Sequence, residues 1–199
     1  MGHIKICVIG AGGWGKNHIR TLSELGALGG IVEADSHQRN KMIELYPNVN
    51  CLSSIEHAFK NDFDGFVVAT PPITHVKLAE QILTKNKPVL VEKPLTLSID
   101  EAQSLKNLVE NFNGKLMVGH LLLFHPAIMK MKKMIQDDML GNLQYIYSNR
   151  LNLGVVRKEE NVFWSFAPHD LSLFQFFTES FPVNVQSSGG AYIQKNIHD

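Results

Sequence analysis

Short apolar runs alternate with amphipathic segments over the first 119 residues of the chain. The runs are too short for buried helices and are typical of strands covered on both faces of a parallel sheet. They lie at residues 4–9, 30–34, 51–52, 64–69, 88–91 and 115–118. Between the runs, apolar side chains recur every three or four residues, which predicts helices after residues 15, 35, 53, 75 and 98.

Serine residues mark the starts of several of these helices. Ser36 is expected to cap the second helix, while segments 53–56 and 98–101 have the pattern of a capping box, a serine followed three residues later by glutamate. Strands that alternate with helices require right-handed parallel crossovers. Residues 1–119 are therefore predicted to form a doubly wound α/β domain of the Rossmann type.

The pattern changes in residues 120–199. Helices are predicted over residues 125–139 and 168–178, and longer strands with partial alternation over 143–153 and 183–193. Longer strands with fewer helices favour an α+β domain with a mostly antiparallel open sheet. Because two strands make a poor independent sheet, we expect further strands from outside this chain or from another subunit, and hence a homo-oligomer.

Composition narrows the function without defining it. The 199 residues are 44% hydrophobic, and Lys plus Arg equal Asp plus Glu at 19 each, so the formal net charge is zero. No basic excess favours nucleic acid or an anionic membrane surface, and no apolar stretch approaches the roughly 20 residues of a membrane span. The N-terminus lacks a signal-peptide layout, and the two cysteines fit buried positions, so a cytoplasmic setting is expected.

A glycine motif joins the first predicted strand to the first helix. In Gly10-x-Gly12-x-x-Gly15, the glycines permit a tight turn, a close approach to a pyrophosphate and close helix packing. Asp35 follows the third glycine by 35 − 15 = 20 residues, where a ribose-binding acid is expected. Such a carboxylate repels a 2′-phosphate, so NAD is favoured as the cofactor, with NADP the alternative because of nearby Arg39.

Two further residues are candidates for chemistry. Lys93 follows a strand, and Pro94 restricts it to extended conformations, which would aim its ammonium at the cofactor crevice. An ordinary exposed lysine at the start of a loop fits this sequence position equally well. His169 follows Pro168, a residue typical of a helix start, so we expect it in the first helical turn, where the dipole favours a neutral ring. A packing histidine is the simpler alternative there. The five histidines at positions 18, 75, 120, 125 and 169 lack metal-ligand spacing, so no metal is predicted.

Several motifs, taken in order, resemble those of the Gfo/Idh/MocA family of nicotinamide-dependent oxidoreductases. They are the glycine motif with His18, Ala69-Thr70-Pro71-x-x-x-His75, Glu92-Lys93-Pro94, Gly119-His120 with Phe124-His125-Pro126-Ala127, and His169. Segments 14–17, 149–154 and 164–172 are similar to one branch of that family. That branch oxidises the 3-hydroxyl of nucleotide-linked N-acetylamino sugars or their uronic acids in surface-polysaccharide biosynthesis. Family members are usually much longer, so most of the C-terminal sheet is expected to be missing.

The resemblance implies a role for each matching residue. Lys93 and His169 would be the catalytic pair. The cofactor-binding set would be Gly10, Gly12, Gly13, Trp14, Gly15, Asp35, Thr70, Pro71, His75, Glu92 and Lys93. The substrate set would be Lys93, His120, Asn149, Arg150, Trp164, His169 and Asp170. Ser165 departs from the aspartate that many relatives have four residues before the histidine, so a proton relay through this position is not expected.

Three functions remain open from the sequence. The first is an NAD-dependent dehydrogenase acting on a nucleotide sugar. The second is a cofactor-binding or regulatory module that has lost catalysis, and the third is a dehydrogenase of a free polyol or aldose.

Overall fold

The computed structural model describes residues 4–151 and 160–198. The chain divides into two compact units, Met1–Gly119 and His120–Asp199. Each unit is described by itself.

A single six-stranded sheet forms the centre of the first unit, and all five strand pairings are parallel, in the order β3-β2-β1-β4-β5-β6. The strands are β1 (Ile6–Ile9), β2 (Leu28–Val32), β3 (Asn50–Leu52), β4 (Gly65–Val68), β5 (Val89–Val91) and β6 (Leu116–Val118). The predicted Rossmann sheet is confirmed. Because the strand order reverses between β1 and β4, a crevice is expected beyond the carboxyl ends of these two strands.

Five α-helices cover the two faces of the sheet. They are α1 (Gly13–Glu24), α2 (Ser36–Leu45), α3 (Ile55–Ala58), α4 (His75–Leu83) and α5 (Ile99–Asn111). One hydrophobic cluster contains Ile19 of α1 and Met42 of α2, and the other contains Ile55, Ile82 and Leu105 of the remaining three helices. The strands supply both clusters because successive side chains point to opposite faces.

The buried first strand shows how completely the core excludes water. Cys7 and Ile9 join one cluster while Val8 joins the other. Burial disfavours the thiolate and raises the pKa of Cys7 to about 12. The thiol therefore acts as a small apolar side chain, as the sequence predicts.

The predicted serine caps of α3 and α5 need correction. α3 begins after Ser54, not Ser53, and the Ser53 hydroxyl instead lies 3.0 Å from His57 Nδ1. Ser98 does precede α5, but its side chain makes no capping hydrogen bond. The predicted reciprocal capping boxes are therefore wrong, although both helices start within a residue or two of the expected place.

In the second unit, the described residues form helices and no β-strand. A 3-10 turn (Leu121–Phe124) precedes α6 (Pro126–Gln136), and α7 (Val162–Thr178) is the longest helix. The described parts of the predicted strands, residues 143–151 and 183–193, are irregular; residues 152 and 153 lie outside the described residues. Extended segments become strands only where a neighbour completes the ladder of hydrogen bonds, and these two segments do not pair with each other.

α7 also starts earlier than predicted. Its N-cap is Asn161, whose side chain accepts a hydrogen bond from the Trp164 N–H, and Pro168 lies inside the helix. His169 is therefore in the middle of α7 and not in its first turn. The helix dipole acts within about one turn of the helix end, so the predicted dipole effect on the His169 ring does not apply. Within the described ranges, no helix is long and apolar enough to cross a membrane.

Candidate functional site

The turn between β1 and α1 has the geometry of a dinucleotide-binding loop. Gly10 has φ of +92°, and a Cβ there would lie 2.7 Å from the Ala69 carbonyl oxygen at the end of β4. A Cβ on Gly15 would lie only 1.9 Å from the Gly10 carbonyl oxygen, so α1 starts directly against the loop. A Cβ on Gly12 would meet nothing within 4 Å. The loop is thus closed towards the protein and open on the side of the crevice.

The first-turn N–H groups of α1 provide the polar side of this loop. α1 starts at Gly13 with Gly12 as its N-cap, and its first turn has no acidic residue. The first N–H groups of a helix have no partner within the helix, and they favour an anion. A pyrophosphate therefore fits the open side of the loop, at Gly12, Gly13 and Trp14.

A cleft of about 520 Å³ lies beside the loop, at the carboxyl ends of β1, β2 and β4. Its walls combine the glycine loop with the residues that follow these strands and with the starts of α3 and α4. The main lining residues are Gly10, Gly12, Val32, Glu33, Ser54, Ile55, Thr70, Pro71, Thr74 and Lys77. This position at the switch in strand order is where α/β sheets of this type bind nucleotides.

Glu33 connects the glycine loop with the turn after β2, a role that the sequence did not predict. Its Oε2 accepts a hydrogen bond from the Ala11 N–H at 2.8 Å, and its Oε1 accepts from the Asp35 N–H at 3.0 Å. The Gln38 side-chain amide donates to the Ala11 carbonyl oxygen at 2.9 Å. Both backbone polar groups of Ala11 are therefore held, the N–H by the turn after β2 and the carbonyl oxygen by the start of α2.

Asp35 follows Glu33 by two residues, where α2 begins. It is the N-cap of α2, in place of the predicted Ser36, and its Oδ1 accepts from the Gln38 N–H at 2.7 Å. Asp35 is exposed and is not among the lining residues of the cleft, whereas Glu33 is. Two carboxylates thus follow β2, where the sequence indicated one.

Arg39, the residue that could bind the 2′-phosphate of NADP, contacts the backbone after β2. Its Nη1 donates to the carbonyl oxygens of Glu33 and Ala34 at 2.7 and 3.0 Å. The guanidinium therefore stabilises the turn after β2. Two carboxylates and an engaged arginine suit the hydroxyl groups of NAD better than the 2′-phosphate of NADP.

Thr70 and Pro71 line the cleft, whereas His75 does not. His75 is 1% exposed at the start of α4, and its Nε2 and Nδ1 lie 2.8 Å from the Thr70 carbonyl oxygen and 2.9 Å from the Pro94 carbonyl oxygen. Both ring nitrogens face backbone of the protein. The contribution of His75 to a cofactor site would therefore be indirect.

Glu92 is also an interior residue. It is 6% exposed, its Oε1 lies 2.7 Å from His18 Nε2, and its Oε2 accepts from the Lys93 N–H at 3.3 Å. A Cβ on Gly119 would lie 3.1 Å from this carboxylate. Lys93 itself is half-buried just beyond the carboxyl end of β5, next to β4, as the sequence predicts.

In the second unit, Asp170 and Arg150 bind each other. Arg150 Nε lies 3.0 Å from Asp170 Oδ2, Arg150 Nη2 lies 3.0 Å from Asp170 Oδ1, and the Ser148 hydroxyl donates to Oδ1 at 2.9 Å. Burial alone would raise the pKa of Asp170, but the hydrogen bonds from Arg150 and Ser148 outweigh it, so the pKa is lowered. The pair joins α7 to the segment that contains Asn149.

A groove of about 910 Å³ lies among the 3-10 turn, α6 and α7 of the second unit. His120 and Trp164, both in the predicted substrate set, line it, together with the buried Lys132 and its ion-pair partner Glu179. Asp170 and Arg150 are not among its lining residues. Across residues 4–151 and 160–198, no three His, Cys, Asp or Glu side chains are grouped so that they could hold a metal ion.

Comparison with known proteins agrees with this geometry. Residues 4–120, more than half of the chain, match the sequence model of Gfo/Idh/MocA proteins, described as an oxidoreductase family with an NAD-binding Rossmann fold. The chain belongs to the Gfo/Idh/MocA family. NAD is the cofactor expected of this family, and the glycine loop and the two carboxylates after β2 fit it.

Individual relatives of this Gfo/Idh/MocA protein act on different substrates. The inositol 2-dehydrogenase of Rhizobium meliloti is 26% identical over 98% of this chain and 61% of its own length. The UDP-N-acetylglucosamine 3-dehydrogenase of Acidithiobacillus ferrooxidans is 26% identical over 97% of this chain and 60% of its own length. The chain thus spans about three fifths of these relatives.

A solved structure agrees on the fold. The crystal structure of a putative myo-inositol dehydrogenase from Sinorhizobium meliloti matches with a TM-score of 0.82 at 23% identity, covering 96% of this chain and 60% of the other. Sugar or polyol oxidoreductases are therefore the group to which this chain is similar, while the branch that acts on nucleotide sugars is not distinguished from inositol dehydrogenases.

Proposed function

We propose that this chain carries the cofactor site and part of the substrate site of an NAD-dependent dehydrogenase that oxidises a sugar hydroxyl. The observation that carries the proposal is the arrangement at the carboxyl ends of β1, β4 and β5. The open glycine loop follows β1, Thr70 and Pro71 follow β4, and Lys93 follows β5. A cofactor cleft and a candidate proton-transfer group thus share one edge of the sheet.

Each residue of the site would have a separate task. Gly12, Gly13 and Trp14 would hold the pyrophosphate, and Glu33 and Asp35 the adenosine ribose. NAD, when bound, supplies the hydride acceptor. Lys93 or His169 would accept the hydroxyl proton as the carbon–hydrogen bond breaks and the hydroxyl becomes a carbonyl. Ser165, buried in α7, can form hydrogen bonds but brings no charge to His169.

For the substrate, we propose the C3 hydroxyl of a nucleotide-linked N-acetylamino sugar or its uronic acid, used in surface-polysaccharide biosynthesis. The resemblance of segments 14–17 and 164–172 to that branch supports this choice, as does the UDP-N-acetylglucosamine 3-dehydrogenase. Residues 152–154 of the similar segment 149–154 lie outside the described residues. A polyol is the second candidate, favoured by the inositol 2-dehydrogenase at the same identity.

Self-association belongs to the same proposal. Many apolar side chains of the second unit are exposed, including Val183 at 98%, Tyr192 at 86% and Phe181 at 79%. Exposed apolar surface of this kind favours burial against another copy. Light scattering coupled to size-exclusion chromatography is expected to give a mass above that of one chain, and a monomer at all concentrations would contradict it.

The function is tested with the 199-residue chain, NAD and a panel of substrates. Calorimetry measures NAD and NADP binding, and absorbance of the reduced nicotinamide follows turnover with UDP-N-acetylglucosamine, its uronic acid, myo-inositol and free aldoses. We expect NAD to bind more tightly than NADP and the nucleotide sugar to be oxidised. Turnover should be lost in Lys93→Ala and kept in Lys41→Ala, an exposed lysine of α2. NAD binding without turnover on any substrate would instead favour the cofactor-binding module.

A further inference from the structure

Two histidines hold the residues on either side of Lys93, one from each face of the sheet. We propose that His18 and His75 are positioning residues that together fix the direction of Lys93 at the cofactor crevice. The inference rests on the proposed function of Lys93, but it concerns contacts within the first unit alone.

The first contact lies on the α1 face of the sheet. His18 of α1 reaches Glu92 across 74 positions of sequence, and its Nε2 is 2.7 Å from Glu92 Oε1. The other carboxylate oxygen accepts from the N–H of Lys93. Gly119 lies against this carboxylate, since a Cβ there would come within 3.1 Å of Glu92 Oε2. The peptide unit that enters Lys93 is therefore tied to α1.

The second contact comes from the opposite face, where α4 packs. His75 Nδ1 lies 2.9 Å from the carbonyl oxygen of Pro94, and Nε2 lies 2.8 Å from that of Thr70. Carbonyl oxygens only accept hydrogen bonds and a neutral imidazole has a single N–H, so His75 can donate to one of these two oxygens and lies in contact with the other. His75 therefore links the segment after β5 with the segment after β4 that lines the cleft.

The consequence for Lys93 follows from its place between the two contacts. The residue before it is held by α1 and the residue after it by α4, so the backbone at Lys93 has little freedom to move. A long lysine side chain has several rotatable bonds, and a fixed backbone is needed to keep its nitrogen near one point. Displacement by about 1 Å of a group that acts on the reacting atoms lowers turnover by about 10²-fold. Loss of either contact should therefore weaken catalysis while the cofactor loop stays intact.

Three variants test the two contacts. His18→Ala removes the first contact without lowering helix propensity. His18→Gln keeps an amide donor for Glu92 and serves as the rescue. His75→Gln replaces two ring nitrogens by one amide nitrogen, and the amide oxygen cannot donate to the second carbonyl oxygen. His37→Ala, at an exposed histidine of α2, is the matched control.

The main measurement is competitive acylation of lysines, with mass spectrometry after cleavage by a protease that does not cut at lysine. The labelling rate of Lys93 is divided by that of the exposed Lys41 in the same sample. We expect this ratio to change several-fold in His18→Ala and His75→Gln, and to stay at the wild-type value in His18→Gln and His37→Ala. The Kd for NAD should stay close to wild type in both His18 variants and in His37→Ala, and kcat should fall by about 10- to 100-fold in His18→Ala and His75→Gln.

The outcomes separate this inference from the proposed function. If the wild type has no turnover on any substrate, the proposed function fails, and the labelling ratio still decides the positioning role. An unchanged ratio in folded His18→Ala overturns the inference, even if His75→Gln fails to fold. A loss of thermal stability with no change in the ratio would show that both histidines serve folding alone.

Discussion

The contact of Gly15 with the glycine loop leads to the sharpest prediction. A Cβ at this position would lie 1.9 Å from the Gly10 carbonyl oxygen, whereas ordinary contacts begin at 3.4 Å. In Gly15→Ala the start of α1 must therefore move by 3.4 − 1.9 = 1.5 Å. The obstacle is backbone, and the fully buried Ile19 anchors the next turn of the same helix, so no flexible side chain can relieve the clash.

The expected magnitude follows from this displacement. Overpacking of this kind costs about 1–3 kcal/mol of unfolding free energy, which lowers Tm by roughly 4 °C per kcal/mol. N–H groups displaced by 1.5 Å lose their hydrogen-bond geometry to the pyrophosphate. Losing two charge-assisted hydrogen bonds costs about 3 kcal/mol, which corresponds to a rise in the Kd for NAD of about 10²-fold.

Gly12→Ala separates the two effects. A Cβ there meets no protein atom within 4 Å but enters the open side of the loop. We therefore expect weaker NAD binding, as in Gly15→Ala, with a stability loss limited to the poorer N-cap, about 0.5–1 kcal/mol. Ser23→Ala, exposed on α1, should change neither property. The assays are calorimetric titration with NAD and thermal unfolding followed by circular dichroism. If Gly15→Ala keeps the wild-type Tm and Kd, the reasoning about helix packing is refuted.

Three further predictions concern single groups. Asp35→Ala should narrow the preference for NAD over NADP, measured as the ratio of the two Kd values, while an unchanged ratio would leave discrimination to another group. The pKa of Asp170 is lowered in the folded chain. Its contact with Arg150 should therefore stabilise the fold at pH values above the pKa of Asp170 in the unfolded chain, about 3.9. This stabilisation should be lost as the pH falls through the lower pKa that Asp170 has in the folded chain. The free energies of unfolding in urea of wild type and Asp170→Asn should therefore differ at pH 7, and the difference should shrink as the pH falls below about 3.9; a constant difference would contradict this. Cys7, with its pKa of about 12, should be alkylated by iodoacetamide only on unfolding, whereas the half-buried Cys51, whose pKa burial also raises, should react in the native state but more slowly than an exposed thiol.

The sheet was predictable because its strands depend on local pattern. The runs that form the central strands β1 and β4 are buried on both faces, so burial and strand propensity agree there. The Rossmann topology then follows from the handedness of the crossovers. The glycine loop was predictable for the same reason, since strand, turn and helix are contiguous in sequence.

The second unit was predicted less well because its local signals conflict. Pro168 favours the first turn of a helix, yet it lies inside α7, at a position that costs about 3 kcal/mol in an isolated helix. Asn161, an N-cap followed by an apolar run, was the signal that would have placed the helix start correctly.

Contacts within the candidate site were the hardest to predict. Lys93 could be located from its strand, but the partners of its neighbours could not, since His18 and Glu92 are separated by 74 positions. The sequence motif indicates one carboxylate at the expected spacing, Asp35, and does not separate Glu33 from the strand before it. An ionisable residue directly after an apolar strand was a usable signal for it. How His169 contributes stays a prediction from the resemblance.

The close approach of Gly119 to the Glu92 carboxylate has a consequence for protein engineering. Gly119 is the last residue of the first unit, and it is also the residue that leaves room for the carboxylate beside Lys93. A fusion or domain exchange that places any other amino acid at position 119 would bring a Cβ to 3.1 Å from Glu92 Oε2, the oxygen that accepts from the Lys93 N–H. Chimeras built from this nucleotide-binding unit should therefore keep residues 4–119 and make their junction after that glycine.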